Sequence, residues 1–192
     1  KYVYQTCFGP GVSRILGAMV AIHGDDKGLI IPPPVAPVQV VIIPVFTKAT
    51  ETIVMKKAGE LLGSLAEKGF RVDLDDRTKF KPGYKFHEAE LKGVPIRVEI
   101  GPRDIENGEV SVVRRDFLER ITIPQEKLHE QLLEIMDSIG SQLLKRANGY
   151  LKIQDAKNIT DIKKKLKDGG FLKIDFCMNE KCDNKLKKDT GA

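Results

Sequence analysis

The feature that most constrains the fold is an alternation of apolar β-branched runs and amphipathic helical patterns across residues 38–150. Gln39–Pro44 is mostly apolar and β-branched, as strands buried on both faces are. A helical pattern with one apolar face follows over Thr50–Lys68, and Phe70–Leu74 is a second strand-like run. Strand, helix and strand in this order predict an α/β layer.

The same module continues with a short helix, a hairpin and a long covering helix. The hairpin is indicated by Asn107-Gly108, a favoured turn sequence between two strand-like runs. The expected bounds are Tyr84–Leu91 for the short helix, Pro95–Ile100 and Val110–Arg114 for the strands, and Gln125–Ala147 for the long helix. The expected fold class is therefore α/β, with a mixed sheet flanked by helices.

A proline-rich segment, residues 29–37, separates this module from the residues before it. Its four prolines cannot continue a helix and favour extended backbone, so a domain boundary is expected there. The flanking segments are expected to hold a strand at Tyr2–Phe8, a helix at Val12–Ile22, a helix at Thr160–Lys167 and a strand at Phe171–Phe176. The expected division of the chain is 1–28, 29–37, 38–150 and 151–192, the last of these a small α+β domain.

Charge is distributed unevenly along the chain. The net charge is +5, but residues 151–192 hold 11 lysines against 7 acidic residues, whereas the first 150 hold 21 basic and 20 acidic residues. A lysine-rich solvated tail explains most of this excess, so the overall charge is weak support for nucleic-acid binding. No apolar run reaches the roughly 18 residues of a membrane helix, and neither a signal peptide nor a disulfide framework is indicated. A cytoplasmic protein without a membrane partner is expected.

Three polar side chains lie on or beside regular elements of the central module, which shows no catalytic grouping. Glu90 is at the end of the short helix, Arg97 on the next strand and Arg103 just past that strand. A carboxylate accepts hydrogen bonds from exocyclic amines of bases, and Arg donates two to guanine; unpaired bases of RNA loops expose these groups. An exposed salt-bridge network on a sheet face explains the same residues equally well, and spacing alone leaves both interpretations open.

Gly9, Gly11 and Arg14 follow the spacing G-x-G-x-x-R at the point where a strand ends and a helix begins. Glycines let a flat ligand approach the backbone, and an Arg one turn into the helix can lie over an adenine ring or grip a phosphate. A lone glycine motif is weakly specific, and a turn followed by a surface arginine accounts for it as well.

Cys177 and Cys182 are separated by four residues, as in half of a tetrahedral metal site. A structural zinc site normally needs four protein ligands, among which thiolates are favoured. The three histidines are remote in sequence. Two free thiols therefore remain as good an interpretation as a metal within this chain.

Taken together, these segments resemble prolyl-tRNA synthetases of the archaeal/eukaryotic type, which are class II aminoacyl-tRNA synthetases. The resemblance runs along nearly the whole chain and rests on Tyr4–Arg14 (motif 3), His23–Leu29 and Pro32–Val41 (the junction leaving the catalytic domain), Tyr84–Arg97 and Glu99–Asp104 (the anticodon-binding domain), and Phe176–Cys182 with Lys185–Ala192 (the start of the C-terminal zinc-binding extension). The blocks at Tyr84–Arg97 and Glu99–Asp104 are the most specific.

The resemblance implies a role for each candidate residue. Arg14 would stack on the adenine of ATP, Gly9 and Gly11 would let substrate lie flat, and Cys7 would line the prolyl pocket. The residues that would read the two guanines of the proline anticodon are Glu90, Arg97 and Arg103, and those that would bind Zn²⁺ are Cys177 and Cys182. Motifs 1 and 2 and the second pair of zinc cysteines are not in this sequence.

The resemblance also implies partners and an activity for a longer parent enzyme. That enzyme would activate proline with ATP and Mg²⁺, transfer it to tRNA(Pro), and form a homodimer through regions outside this sequence. This segment alone is expected to be catalytically inactive and to recognise the anticodon. The alternatives are a stand-alone RNA-binding accessory module with the anticodon-domain fold and, less well supported, a nucleotide-binding regulator built around Gly9–Arg14.

Overall fold

The computed structural model describes residues 6–191, which form two compact units. One unit extends to Leu143 and the other begins at Leu144. The first contains α1 Val12–His23, β1 Val40–Pro44, α2 Glu51–Glu67, β2 Val72–Leu74, α3 Pro82–Lys92, β3 Ile96–Ile100, α4 Pro102–Asn107, β4 Glu109–Arg114, β5 Arg120–Pro124 and most of α5 Leu128–Tyr150. The second contains β6 Ile153–Ala156, α6 Ile159–Leu166, β7 Phe171–Ile174 and α7 Glu180–Thr190.

The five strands of the first unit form a mixed sheet in the order β2-β1-β3-β4-β5. Strand β1 pairs in parallel with both β2 and β3, whereas β3–β4 and β4–β5 are antiparallel. The parallel strands are joined through helices and the antiparallel strands by shorter connections, as strand direction requires. The predicted α/β class with a mixed sheet flanked by helices is confirmed.

One face of this sheet carries the main hydrophobic core. Because side chains alternate along a strand, residues such as Val40, Ile42, Val98 and Val112 point to the same side. They pack with α2 and α5, whose inward residues are Val54, Ala58, Leu61, Leu65, Leu128, Leu132, Ile135, Met136, Ile139 and Leu143. Burial of this face fixes the register of the sheet, since a slip of one residue would expose every apolar side chain.

The opposite face of the sheet is half apolar and half polar. Val41 and Ile43 pack beneath α3 with Ala89. Beyond α3, this face carries the polar residues Arg97, Glu99, Ser111, Arg120 and Thr122, and the buried Val113 is the cross-strand partner of both Arg97 and Arg120. The core on one side therefore holds a polar surface in place on the other.

Residues 29–37 lie along the first unit and turn at residues 32–36, where the N–H groups of Val35 and Ala36 both donate to Pro32 O at 3.1 Å. Leu29 N–H donates to Leu91 O and Ile31 N–H to Gly93 O, while Ile30 and Ala36 are buried. Arg71 donates from Nε to Ala36 O at 2.8 Å. The extended backbone expected for the whole segment is therefore wrong at residues 33–35, which form this turn, although the segment is hydrogen-bonded to its neighbours at both ends. The predicted boundaries between residues 1–28, 29–37 and 38–150 remain predictions.

One connection and one strand differ from the expectations. Strands β3 and β4 are antiparallel neighbours, as the predicted hairpin requires. The turn expected to contain Asn107-Gly108 is instead the end of a helix, because residues 102–107 form α4 and Gly108 ends it with φ 69°. Strand β5 was not predicted at all. The predicted strand Tyr2–Phe8 lies mainly outside the described residues, and residues 6–8 have no regular secondary structure.

The second unit is a small α+β arrangement in which β6 and β7 pair in parallel. Asn158 caps α6 by accepting a hydrogen bond from Asp161 N–H at 2.8 Å, as an N-cap side chain does. Across residues 6–191, none of the helices is both long enough and apolar enough to span a bilayer.

Candidate nucleic-acid interface

Four charged side chains form a continuous hydrogen-bonded network across α3, β3 and β5. Arg97 donates from Nη1 to Glu90 Oε1 and from Nε to Glu99 Oε1, each at 2.9 Å. The second oxygen of Glu99 accepts from Arg120 Nη2 at 2.7 Å. We call Glu90, Arg97, Glu99 and Arg120 the ion-pair network. Carboxylates and guanidinium groups alternate in it, so each buried charge has a hydrogen-bonded neighbour of opposite sign.

Local structure places the members of this network. Arg97 and Glu99 are two residues apart on β3 and therefore project from the same face. Glu90 lies in the last turn of α3, which ends where Gly93 adopts φ 72° and its N–H bonds to the carbonyl groups of that turn. The helix end brings the Glu90 carboxylate over the strand that carries Arg97.

The centre of the network is enclosed, while the side chains at its two ends, Glu90 and Arg120, are 15% and 56% exposed. The side chains of Arg97 and Glu99 are only 10% and 6% exposed, and the Arg97 guanidinium lies 4.4 Å from the centre of the Phe86 ring. Glu90 Oε2 accepts no hydrogen bond from residues 6–191, and Lys27 Nζ is 4.0 Å from it. Among the carboxylate oxygens of the network, it is the one to which no described residue donates a hydrogen bond.

Arg103 is exposed and stands apart from the ion-pair network. It is the second residue of α4, and within residues 6–191 its guanidinium has no hydrogen-bond or ion-pair partner. Its position is fixed from the backbone, because Asp104 Oδ2 accepts from Gly101 N–H at 2.8 Å where the helix begins. The structure thus brings Glu90 and Arg97 together and leaves Arg103 on α4, past the end of β3.

A second ion pair joins residues distant in sequence to the same site. Arg115, whose side chain is 2% exposed, donates from both Nη atoms to the Asp25 carboxylate at 2.6 and 2.8 Å. Its Nε donates to Glu90 O at 2.9 Å. The hydrogen bonds from Arg115 lower the pKa of Asp25 from 3.8 to about 2. Residues near the N-terminus therefore help to hold the end of α3.

Sequence reasoning missed four residues of this site. Glu99 could have been found from the two-residue period of β3, which puts it beside Arg97. Arg120 could not, because its strand was not predicted. Asp25 and Arg115 are 90 residues apart, and only the tertiary fold brings them together.

The N-terminal glycine motif is exposed in the structure. Gly11 is the N-cap of α1, Arg14 lies in the first turn of that helix, and Gly9 has open space around it. Cys7 has an exposed, free thiol. The described residues around Cys7, Gly9, Gly11 and Arg14 form a turn and a helix start rather than an enclosed pocket, so their roles toward ATP and proline remain predictions.

Cys177 and Cys182 lie close to each other in the second unit, and both are exposed and free. Their mutual hydrogen bond lowers the pKa of the Cys177 thiol and raises that of Cys182. No group of three or more potential metal ligands exists within residues 6–191. Two thiols are half of a four-ligand structural set, so the described residues do not fit a complete zinc site.

Comparison with known proteins identifies similar sequences along the whole chain. The anticodon binding domain family matches residues 39–135. A proline–tRNA ligase of Pyrococcus abyssi is 44% identical over 194 residues, which cover all of this chain and 40% of that protein. Proline–tRNA ligases of Thermofilum pendens and Lachnospira eligens are 41% and 42% identical, again over 40% of their length. The chain thus spans two fifths of the length of these curated relatives.

Proposed function

Because this chain belongs to the anticodon binding domain family, we propose that it recognises the anticodon of tRNA(Pro) as part of a longer proline–tRNA ligase. The proposal for proline follows from the relatives, which carry that name and are similar to this chain over its full length. The match of the domain family to residues 39–135 covers α2–α4 and β1–β5, which contain the ion-pair network and Arg103.

The observation that carries this proposal is Glu90 Oε2, a carboxylate oxygen to which no described residue donates a hydrogen bond. Guanine presents an exocyclic amine that a carboxylate oxygen can accept from, and a fixed acceptor discriminates better than a mobile one. Glu90 is fixed by Arg97, which is itself held by Glu99 and by the Phe86 ring. We propose that Glu90 reads one anticodon guanine and that Arg97 acts on the same base or through Glu90.

Arg103 is proposed to read the second guanine. Its guanidinium is exposed and unpaired among the described residues, so binding a base disrupts no existing ion pair. An arginine donates two hydrogen bonds to the O6 and N7 atoms of guanine. Separation of Glu90 and Arg103 along the sheet suits two bases that are splayed apart, as unpaired bases in RNA loops are.

The remaining roles concern the longer protein. We propose that it activates proline with ATP and Mg²⁺, with Arg14, Gly9 and Gly11 at the adenine and Cys7 near the proline. That catalysis depends on positioning and electrostatic stabilisation by more groups than these, so this 192-residue chain alone should be inactive. Zinc binding by Cys177 and Cys182 would need further protein ligands. We also propose that the longer protein is a homodimer and is cytoplasmic.

Binding of the 192-residue chain to an anticodon stem-loop RNA tests the anticodon proposal. Replacing either guanine by adenine should cost about 1–3 kcal/mol of binding free energy. Arg103→Ala should remove the preference at one position only, whereas Lys56→Ala, which deletes an exposed charge on α2, should leave both preferences intact. Equal affinity of the wild-type chain for guanine and adenine loops would contradict the proposal.

A further inference from the structure

Two exposed aromatic rings are stacked on each other at the start of α3. Phe80 and Tyr84 have ring centres 4.7 Å apart and ring planes 16° from parallel. Their side chains are 42% and 52% exposed, so the stack is not part of a core. We call Phe80 and Tyr84 the aromatic platform. Exposure of two large rings in one place leaves apolar area that a flat ligand can cover.

The platform is held in place from one side by charged residues. The Arg77 guanidinium lies 5.0 Å from the centre of the Phe80 ring. Arg77 in turn donates from Nη2 to Asp75 Oδ2 and to Glu88 Oε2, each at 2.6 Å. Since Arg77 is bonded to two carboxylates, its stacking contact holds Phe80 in a fixed position before any ligand arrives.

A cationic cleft adjoins the platform. It has a volume of about 210 Å³, and Phe80 lines it together with Lys79 and Lys81. Both lysines are exposed, and within residues 6–191 neither forms an ion pair. Planar aromatic surface beside unpaired lysines matches a nucleotide, whose base stacks and whose phosphate is negative.

The platform lies at the same edge of the sheet as Arg103. The cleft is also lined by Pro44, which ends β1 and pairs with Ile100 at the end of β3. Arg103 follows this strand end directly. Glu90 lies six residues beyond Tyr84 on α3, about 9 Å along the helix axis. One RNA loop can therefore reach the platform and the proposed base-reading residues together.

We propose that the aromatic platform is a stacking site for a further unpaired nucleotide of the RNA loop that Glu90 and Arg103 read. The base stacks on the exposed face of Tyr84, and Lys79 and Lys81 bind the adjoining phosphates. Every base has a flat face, so the site adds affinity without selecting a sequence. The inference rests on the proposed function, because that function supplies the RNA.

Tyr84→Leu tests the stacking contact in the 192-residue chain, because leucine keeps an apolar side chain but has no ring. We expect affinity for the anticodon stem-loop to fall about tenfold, equally for guanine and adenine loops. Tyr84→Phe should bind as the wild type does. Tyr150→Leu is the matched control, since Tyr150 is 60% exposed and far along the chain, and it should have no effect.

Two further readouts separate stacking from a loss of structure. A 2-aminopurine in the loop should lose fluorescence on binding the wild type and Tyr84→Phe, but not Tyr84→Leu. Replacing Lys79 and Lys81 by glutamine should flatten the dependence of log Kd on log salt concentration by about 0.7 for each phosphate that the protein no longer neutralises. Wild-type affinity in Tyr84→Leu would overturn the inference alone. Absence of guanine selectivity in the wild type would overturn the proposed function.

Discussion

At the scale of single residues, the site depends on Glu99 as much as on the residues that sequence reasoning selected. Glu99 accepts from Arg97 with one oxygen and from Arg120 with the other. It compensates two guanidinium groups while being 6% exposed itself. A base-reading cluster and a salt-bridge network are therefore compatible interpretations of these residues, because a salt-bridge network is what fixes Glu90.

Glu99→Gln should destabilise the first unit and loosen Arg97. The substitution removes the carboxylate shared by two guanidinium groups and leaves the nearly buried Arg97 with Glu90 as its remaining ion-pair partner, so it should lower the free energy of unfolding by about 2 kcal/mol. Urea-induced unfolding measures this. Glu60→Gln is the control, because Glu60 pairs with Lys57 at a side-chain exposure of 52% and should cost little. Equal losses in the two variants would contradict the role assigned to Glu99.

The Asp25–Arg115 pair predicts a specific dependence of stability on pH. The pKa of Asp25 is about 2 in the folded protein and 3.8 ordinarily, so the carboxylate stabilises the fold above pH 3.8. That contribution is lost as pH falls from 3.8 toward 2. Asp25→Asn should therefore be less stable than the wild type at neutral pH, and the difference should shrink across this window. A difference independent of pH in urea titrations would rule out the pair as its source.

At the scale of elements, helices and strands with a long apolar pattern were predicted correctly. The prediction failed where a glycine can either form a turn between strands or end a helix. The period of Val54, Ala58, Leu61 and Leu65 revealed α2, and the buried run of β1 was equally clear. Gly108 indicated a hairpin turn, but its left-handed backbone ends α4 instead. Only Ile121 and Ile123 mark β5 as apolar, a run too short to stand out from a polar loop.

Gly93 is the residue on which the end of α3 most depends. Its φ of 72° disfavours any side chain, and a Cβ there would come within 2.6 Å of the Leu29 Cβ and 2.8 Å of its backbone. Gly69 has a similar φ of 88° with open space around it. Gly69→Ala should cost about 1 kcal/mol for backbone conformation alone. Gly93→Ala should cost at least about 1 kcal/mol more for overlap, as thermal or urea unfolding would show.

The comparison of these two glycines also tests the packing of residues 29–37. If Gly93→Ala and Gly69→Ala destabilise the protein equally, Leu29 does not lie against α3 in solution. In that case the hydrogen bond from Leu29 to Leu91 would be absent as well.

At the scale of the whole molecule, the residues proposed to read bases and the excess of basic residues lie in different parts of the chain. The basic excess lies in residues 151–192, whereas the ion-pair network and Arg103 are in a nearly neutral part of the chain. The charge of the chain therefore does not indicate which residues would read bases. Positive charge attracts the phosphates of any RNA, whatever its base sequence. The family resemblance of the motifs supplied the candidate residues, and the fold brings Glu99, Arg120 and Arg115 beside them through strand pairing and contacts distant in sequence.

The most direct test of the account is whether Glu90 reads the exocyclic amine of guanine. Inosine lacks that amine, so affinities for guanine and inosine loops are compared in the wild type and in Glu90→Gln. The amide oxygen of glutamine can still accept from Arg97, which keeps the network in place. We predict about a tenfold preference for guanine in the wild type and no preference in the variant. The same preference in both proteins would contradict the account.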